Sequence, residues 1–228
     1  MNDYYTFIVS STINTEHGEF DNETRFNQTI ETLNSIKDKV PNSKILFIDN
    51  SSEPLSLEQI ETVKAKVDIF EIVKHNLVTE MFNKKCSKGG GEIYMMYEAM
   101  KLLRQYDMIG KRVFKLAGRY KLEKDFDISE YNGLEGKYTF KINTWDVSKD
   151  NWLTIERIIY FETRLWSFCK SLFDEYETLI PIIFNYMMTV DHNLEKSYHR
   201  LFEHNKVVEF DNVHVEGFSA DTGIIKIE

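Results

Sequence analysis

The chain has 228 residues, of which 42% are apolar and 14% aromatic, enough to close the core of one large α/β domain. Its 28 basic and 37 acidic residues leave a net charge of −9, which argues against a broad basic surface for nucleic acid, although a local groove could still be basic. The two cysteines, Cys86 and Cys169, form no CxxC and indicate neither a disulfide framework nor a zinc knuckle. No apolar run reaches the ~18 residues of a membrane span, and no basic leader precedes the first apolar segment, so a soluble, cytoplasmic protein is expected.

In chain order, YYTFIVSST (4–12) is a β-branched and aromatic run ending in hydroxyls, which predicts a buried first strand. Residues 22–40 place Phe26, Ile30, Leu33 and Ile36 at helical spacing, and Pro41 and Asn42 stop the helix. SKILFIDNSS (43–52) is a second buried strand, residues 55–67 form a helix capped by Ser56, and residues 68–76 form a short third strand. A glycine turn then feeds a strong helix in GGGEIYMMYEAMKLLRQY (89–106), and RVFKLAGRYKL (112–122) is a fourth strand. Continuously apolar strands alternating with helices predict a mostly parallel sheet covered on both faces. After residue 130 the pattern becomes mixed: strands at 136–146 and 157–170, helix from 172 to 203 broken or bent near Pro181, and two short strands around a glycine turn at the end. With no repeat or linker, a single domain is expected, with residues 1–125 as a ligand-binding half and 126–228 as a mixed half.

Ligands of open α/β sheets bind beyond the carboxyl ends of the strands. Those ends carry Ser10, Ser11 and Thr12, then Asp49, Asn50 and Ser51, then Gly118, Arg119 and Tyr120. Hydroxyls with an Asp/Asn pair suit a ribose and base. KKCSKGGGE (84–92) brings Lys88, Gly90, Gly91 and Glu92 to a helix start, where bare amides and cations suit a phosphate or a sugar; a plain flexible loop is the alternative. It matches neither a Walker A sequence nor GxGxxG. In KLAGRY (115–120), Lys115 and Arg119 are four apart in a strand and so share a face. Burying both costs several kcal/mol unless an anion meets them, which points to a nucleoside diphosphate; an internal salt bridge to Asp146 or Glu162 is the alternative. Gly118 clears room for close approach.

These parts, in this order, resemble a GT-A-fold nucleotide-sugar glycosyltransferase. IVSSTIN and FIDNSS resemble the loops after the first two strands, and KGGGE resembles a Lys-Gly-x-Gly-Glu segment along the donor site. FKLAGRY resembles the Lys-x-x-Gly-Arg-Tyr variant of viral and bacterial glycosyltransferase-like proteins, near where other members have Asp-x-Asp; TRLWSF and VHVEGFSADTGII resemble the same subgroup. The resemblance implies transfer of a hexosyl or pentosyl group from a nucleotide-diphosphate sugar. It leaves the acceptor open among a glycan, a lipid-linked sugar, a protein and a modified DNA base, and says nothing of oligomeric state. Since DFD (125–127) falls beyond the fourth strand, cations are expected to neutralise the diphosphate with no cofactor required and no metal ligand assigned, a divalent ion such as Mn²⁺ being the alternative. The resemblance also implies a carboxylate base, with Asp191, Glu195 and Asp146 as candidates; Asp191 reads equally as a helix cap. Arg164 and Trp166 are candidate acceptor contacts. The competing functions are a nucleotidyltransferase and a non-catalytic nucleotide- or sugar-binding protein of the same fold.

Overall fold

The computed structural model describes residues 3–15, 19–73, 88–148, 155–190, 193–218 and 225–227. Lys88, Asp191 and Asp146 were all singled out above; Asp191 and the side chains of the other two lie outside what is described.

The first half alternates β1 (Tyr5–Ser11), α1 (Asn22–Lys39), β2 (Ser43–Asp49), α2 (Leu57–Lys64), β3 (Ile69–Ile72), α3 (Lys88–Gln105) and β4 (Arg112–Ala117). A short β5 (Tyr120–Leu122) follows, then β6 (Tyr138–Ser148), β7 (Ile155–Cys169), α4 (Phe173–Val190), α5 (Leu194–Leu201), β8 (Val207–Phe210), β9 (Val215–Phe218) and β10 (Ile225–Ile227). Seven strands form one sheet in the order β3-β2-β1-β4-β7-β6-β8. β3, β2, β1 and β4 run parallel, β7 is antiparallel to both β4 and β6, and β8 is parallel to β6. β5, β9 and β10 make a separate antiparallel sheet.

The apolar strands are two-faced because both sheet faces are covered. Phe7, Val9, Ile45, Phe47, Phe114 and Leu116 enter one core with Leu33 and Ile36 of α1. Ile8, Leu46, Ile48 and Val113 enter the other with Ile93, Met96 and Met100 of α3. Successive residues thus serve opposite cores, as the strand pleat requires. Each fully buried large apolar side chain contributes about 1.5–3 kcal/mol. α1 starts where the Asp21 carboxylate accepts from Thr24 N at 2.7 Å, and α2 starts in a reciprocal Ser56–Gln59 capping box.

Three local departures from the sequence reading matter for the site. The predicted fourth strand, 112–122, is two strands. Gly118 N donates to the Ser10 carbonyl at 2.8 Å, and the chain then leaves the main sheet so that β5 pairs with β9. The three glycines do not precede α3 but lie in its first turn, which begins at Lys88. The expected break at Pro181 does not occur: α4 runs on to Val190, with Pro181 exposed, where the carbonyl it leaves without a donor can turn to water.

β7 carries a further irregularity. Its pairing with β6 jumps from Thr139↔Ser167 to Lys141↔Glu162, so several β7 residues stand opposite one of β6. Over that stretch Leu165 and Trp166 pair instead with Leu116 and Lys115 of β4. Such a bulge re-aims side chains, and here it turns Glu162, Thr163 and Arg164 toward the strand ends of the parallel half.

Candidate active site

The carboxyl ends of β1, β2 and β4 meet the first turn of α3. A Cβ at Gly118 would come within 3.0 Å of Ser11 Cβ, and one at Gly91 within 3.0 Å of Asn50 Nδ2, so both glycines permit the close approach. The rim is tightly bonded. The buried Asp49 accepts from Ile13 N at 3.0 Å and Ser51 N at 2.8 Å, and Ser51 Oγ accepts from Asn14 N at 2.8 Å. Ser11 Oγ lies 3.1 Å from Thr29 Oγ1 of α1, and Ser10 is buried. The expectation that Ser11, Asp49 and Ser51 turn their side chains to a ribose and base is therefore corrected: these side chains tie the β1 and β2 loops and α1 together. Asn50 keeps a buried Oδ1 with no hydrogen-bond partner beside the first turn of α3.

Lys115 and Arg119 do not share a face. Lys115 follows Val113 into the α3 core, where it is 1% exposed; its Nζ donates to Glu92 Oε1 at 2.5 Å and to the Thr163 carbonyl at 2.7 Å. An interior ammonium with a carboxylate and a carbonyl is matched already, so Lys115 and Glu92 hold one another rather than a diphosphate. The internal pair considered from the sequence exists, with a different acid.

Arg119 stands beyond the turn and is unlike Lys115. Its Nη1 is buried without a hydrogen-bond partner. Burial pulls its proton affinity down, with Arg164 acting the same way and Tyr120 and Glu92 opposing. Arg25 of α1, whose Nη1 donates to the Thr12 carbonyl at 2.8 Å, is pushed down by burial and then by Arg119. The Arg164 guanidinium lies 5.3 Å above the Tyr120 ring and 2.9 Å from Glu162 Oε2. Arg119 thus feels Arg164 and acts on Arg25, and a buried guanidinium N–H without an acceptor among the described residues is costly unless an anion arrives. Arg119 lines a pocket of about 20 Å³, room for a water, together with Gln28, Glu31, Lys121, Glu216, Gly217 and Phe218.

On the mixed half, Glu195 sits in the first turn of α5, and Thr163 Oγ1 donates to its Oε1 at 3.4 Å. Burial raises the Glu195 carboxyl above its ordinary value; Glu92 and Glu162 raise it further, and Lys115 opposes. Glu162 is itself buried and accepts from Asn143 Nδ2 at 2.8 Å. Trp166 is corrected from acceptor contact to core: it is 1% exposed, stacked on Phe140 and edge-on to Tyr176.

At the end of β4 stand Gly118, Arg119 and Tyr120, and among the described residues no three His, Cys, Asp or Glu side chains gather where a metal could sit. In DFD, Asp127 caps a short 3-10 turn and is held below the usual carboxylate range by its hydrogen bonds from the Ser129 N–H and hydroxyl; Phe126 is core. Arg25 escaped the sequence reading, where it was one polar position on an amphipathic helix; Glu162 entered it only as a salt-bridge partner for Lys115 and Arg119, and the structure pairs it with Arg164.

No family model matches the chain, and no curated relative matches it. Solved structures do share its fold. A galactosyltransferase, LgtC, in complex with donor and acceptor sugar analogues matches with a TM-score of 0.52 and 12% identity over 90% of this chain and 72% of that one. The mannosyltransferase Ktr4p from S. cerevisiae in complex with GDP matches at 0.53 and 9% over 91% and 69%. A 4-diphosphocytidyl-2C-methyl-D-erythritol synthase matches at 0.52 and 6% over 94% and 92%. The fold is thus the GT-A type found in glycosyltransferases, with a mostly parallel sheet flanked by helices. No helix among the described residues is long and apolar enough to cross a membrane.

Proposed function

We propose that the protein is a glycosyltransferase that moves a hexosyl or pentosyl group from a nucleoside-diphosphate sugar to an acceptor hydroxyl, with Arg119 receiving the leaving diphosphate in place of a metal ion. The observation that carries this reading is the buried, unpartnered Nη1 of Arg119 at the strand-end rim, flanked by Arg25 and Arg164. A guanidinium donates to phosphate oxygens in a fixed fork and, unlike a bound cation, cannot be removed by a chelator. Proteins of this fold are known in a GDP complex and in an Mn/GDP form, so both the ligand class and the metal alternative are precedented.

In the reaction, the acceptor oxygen bonds to the anomeric carbon while the bond from that carbon to the diphosphate oxygen breaks. The diphosphate leaves with the electron pair toward Arg119, and the acceptor proton passes to the Glu195 carboxylate. Gly118 and Gly91 let the backbone come close to the donor, Asn50 Oδ1 awaits a donor group, and Arg164 faces the acceptor from the β7 bulge.

The test is a thermal-shift panel of UDP-, GDP-, CDP- and dTDP-sugars with and without Mn²⁺ and EDTA. One donor at 100 times its Kd should stabilise the protein by about 2.7 kcal/mol, equally in EDTA. Stabilisation that appears only with Mn²⁺ would overturn the role given to Arg119.

A further inference from the structure

Arg119 and Glu195 stand on opposite halves of the protein, yet a series of hydrogen bonds runs from Glu195 to Glu92, a carboxylate that acts on Arg119 through space. Glu92, in the first turn of α3, is the carboxylate that acts on the Arg119 guanidinium. The same carboxylate accepts from Lys115 Nζ, which also donates to the Thr163 carbonyl. The Thr163 hydroxyl in turn donates to Glu195 Oε1. Lys115 is nearly solvent-free and Thr163 is buried, so charge placed at one end is poorly screened at the other. Thr163 belongs to the β7 bulge, which has no partner of its own in β6 there; its hydroxyl meets Glu195 of α5 and its carbonyl meets the Lys115 ammonium of β4.

We propose, resting on the donor reading above, that Glu195 takes up a proton when a nucleoside diphosphate binds at Arg119, the two sites being coupled through Glu92, Lys115 and Thr163. The physical reason is the sign of the charges. Before binding, the Lys115 ammonium is shared between Glu92 and the neighbourhood of Glu195, and Glu92 is drawn toward Arg119 as well. An arriving diphosphate takes over Arg119 and brings negative charge beside Glu92. Both effects leave three carboxylates, Glu92, Glu162 and Glu195, facing more negative charge; Glu92 keeps the Lys115 ammonium, Glu162 keeps the Arg164 guanidinium, and among the described residues Glu195 has no ion pair. The groups that face it are Glu92 on α3, Lys115 on β4, Glu162 and Tyr160 on β7, and Tyr198 on its own helix, whose hydroxyl bonds to Tyr176 of α4. Both tyrosine hydroxyls are raised by burial and stay neutral, which leaves Glu195, the carboxylate without an ion pair among the described residues, as the group to take the proton. The consequence for catalysis is a limit on pH: with donor bound, only the fraction of Glu195 that stays ionised can accept the acceptor's proton, so turnover should rise with pH as that fraction grows.

The experiment is titration calorimetry of UDP, GDP, CDP and dTDP into the full chain, in two phosphate-free buffers of different ionisation enthalpy, MES and imidazole, from about pH 5.5 to about pH 7.5. For the nucleotide that binds, the heats in the two buffers should differ by the uptake of a fraction of one proton, rising and then falling with pH. Glu195→Gln should bind the nucleotide with the buffer dependence gone. Glu92→Gln, which removes one of the charges burdening Glu195, should move the uptake maximum to lower pH. Failure of all four nucleotides to bind would overturn the donor reading and this coupling with it. Binding with equal heats in both buffers at every pH would overturn the coupling alone. Uptake that persists in Glu195→Gln, or loss of nucleotide binding in that variant, would overturn the assignment to Glu195.

Discussion

Lys115 Nζ is held by Glu92 and the Thr163 carbonyl, whereas four residues later Arg119 ends in a buried Nη1 that nothing accepts from. The turn at Gly118 makes this difference, because it takes Arg119 out of the main sheet before the pleat can return it to the α3 core. One cation is part of the fold; the other is the one to which the proposed function gives the diphosphate. Stability and binding should therefore separate between the two positions.

Arg119→Gln is expected to leave the thermal midpoint unchanged or slightly higher, since it removes a buried charge that lacks an acceptor. The same variant should weaken nucleoside-diphosphate binding by roughly 10- to 100-fold, the contribution of one or two charge-assisted hydrogen bonds. Calorimetry and a melting curve on the same preparation check both halves. A destabilised variant with intact binding would mean that Arg119 is structural.

Lys115→Met should show the opposite. It strands Glu92 against a core that is otherwise apolar, and breaking one side of a buried pair costs about 3–5 kcal/mol, reduced here because the Glu92 side chain is 22% exposed. Adding Glu92→Met should restore much of the loss. Urea melts of the two single variants and the double variant form the cycle that measures the pair.

The parallel half was legible because its strands are apolar on both faces and its helices carry caps that can be read letter by letter, as at Ser56. The site was legible as a place, since Gly118, Arg119 and Asn50 do come to the strand ends. Side-chain direction was not. Counting Lys115 and Arg119 onto one face assumed an unbroken strand, and the break depends on β9, about a hundred residues later, pairing with β5. Trp166 could not be separated from Arg164 for a similar reason: only the offset between β6 and β7 decides which of them the bulge exposes. Pairing between distant segments leaves no local mark in composition or spacing.

That distant contact is testable at Gly217. A Cβ there would press on the Arg119 carbonyl and come within 2.6 Å of Tyr120 Cδ1, whereas at Gly118 the tightest approach is 3.0 Å, to Ser11 Cβ. Gly217→Ala should cost about 1–3 kcal/mol by overpacking, more than Gly118→Ala, and should also weaken nucleotide binding by displacing Arg119. Equal stability for the two variants would show that β9 yields readily and does not fix the position of Arg119.

Glu195 makes a prediction from pH alone, without any ligand. Its carboxyl is raised by burial, by Glu92 and by Glu162, so the folded protein holds this proton more tightly than the unfolded chain does. Between the ordinary value of 4.5 and the raised one, the folded state therefore binds more protons, and this residue's contribution to stability falls as pH rises. Below that window wild type and Glu195→Gln should melt together. Above it the wild type carries the full cost of an ionised buried carboxylate, and the glutamine variant should be the more stable. A cost of about 1 kcal/mol would appear as roughly 2–4 °C in Tm for a chain of this size. A gap of the opposite sign at neutral pH would mean that Glu195 is a well-paired anion, and the proton-accepting role assigned to it would fail.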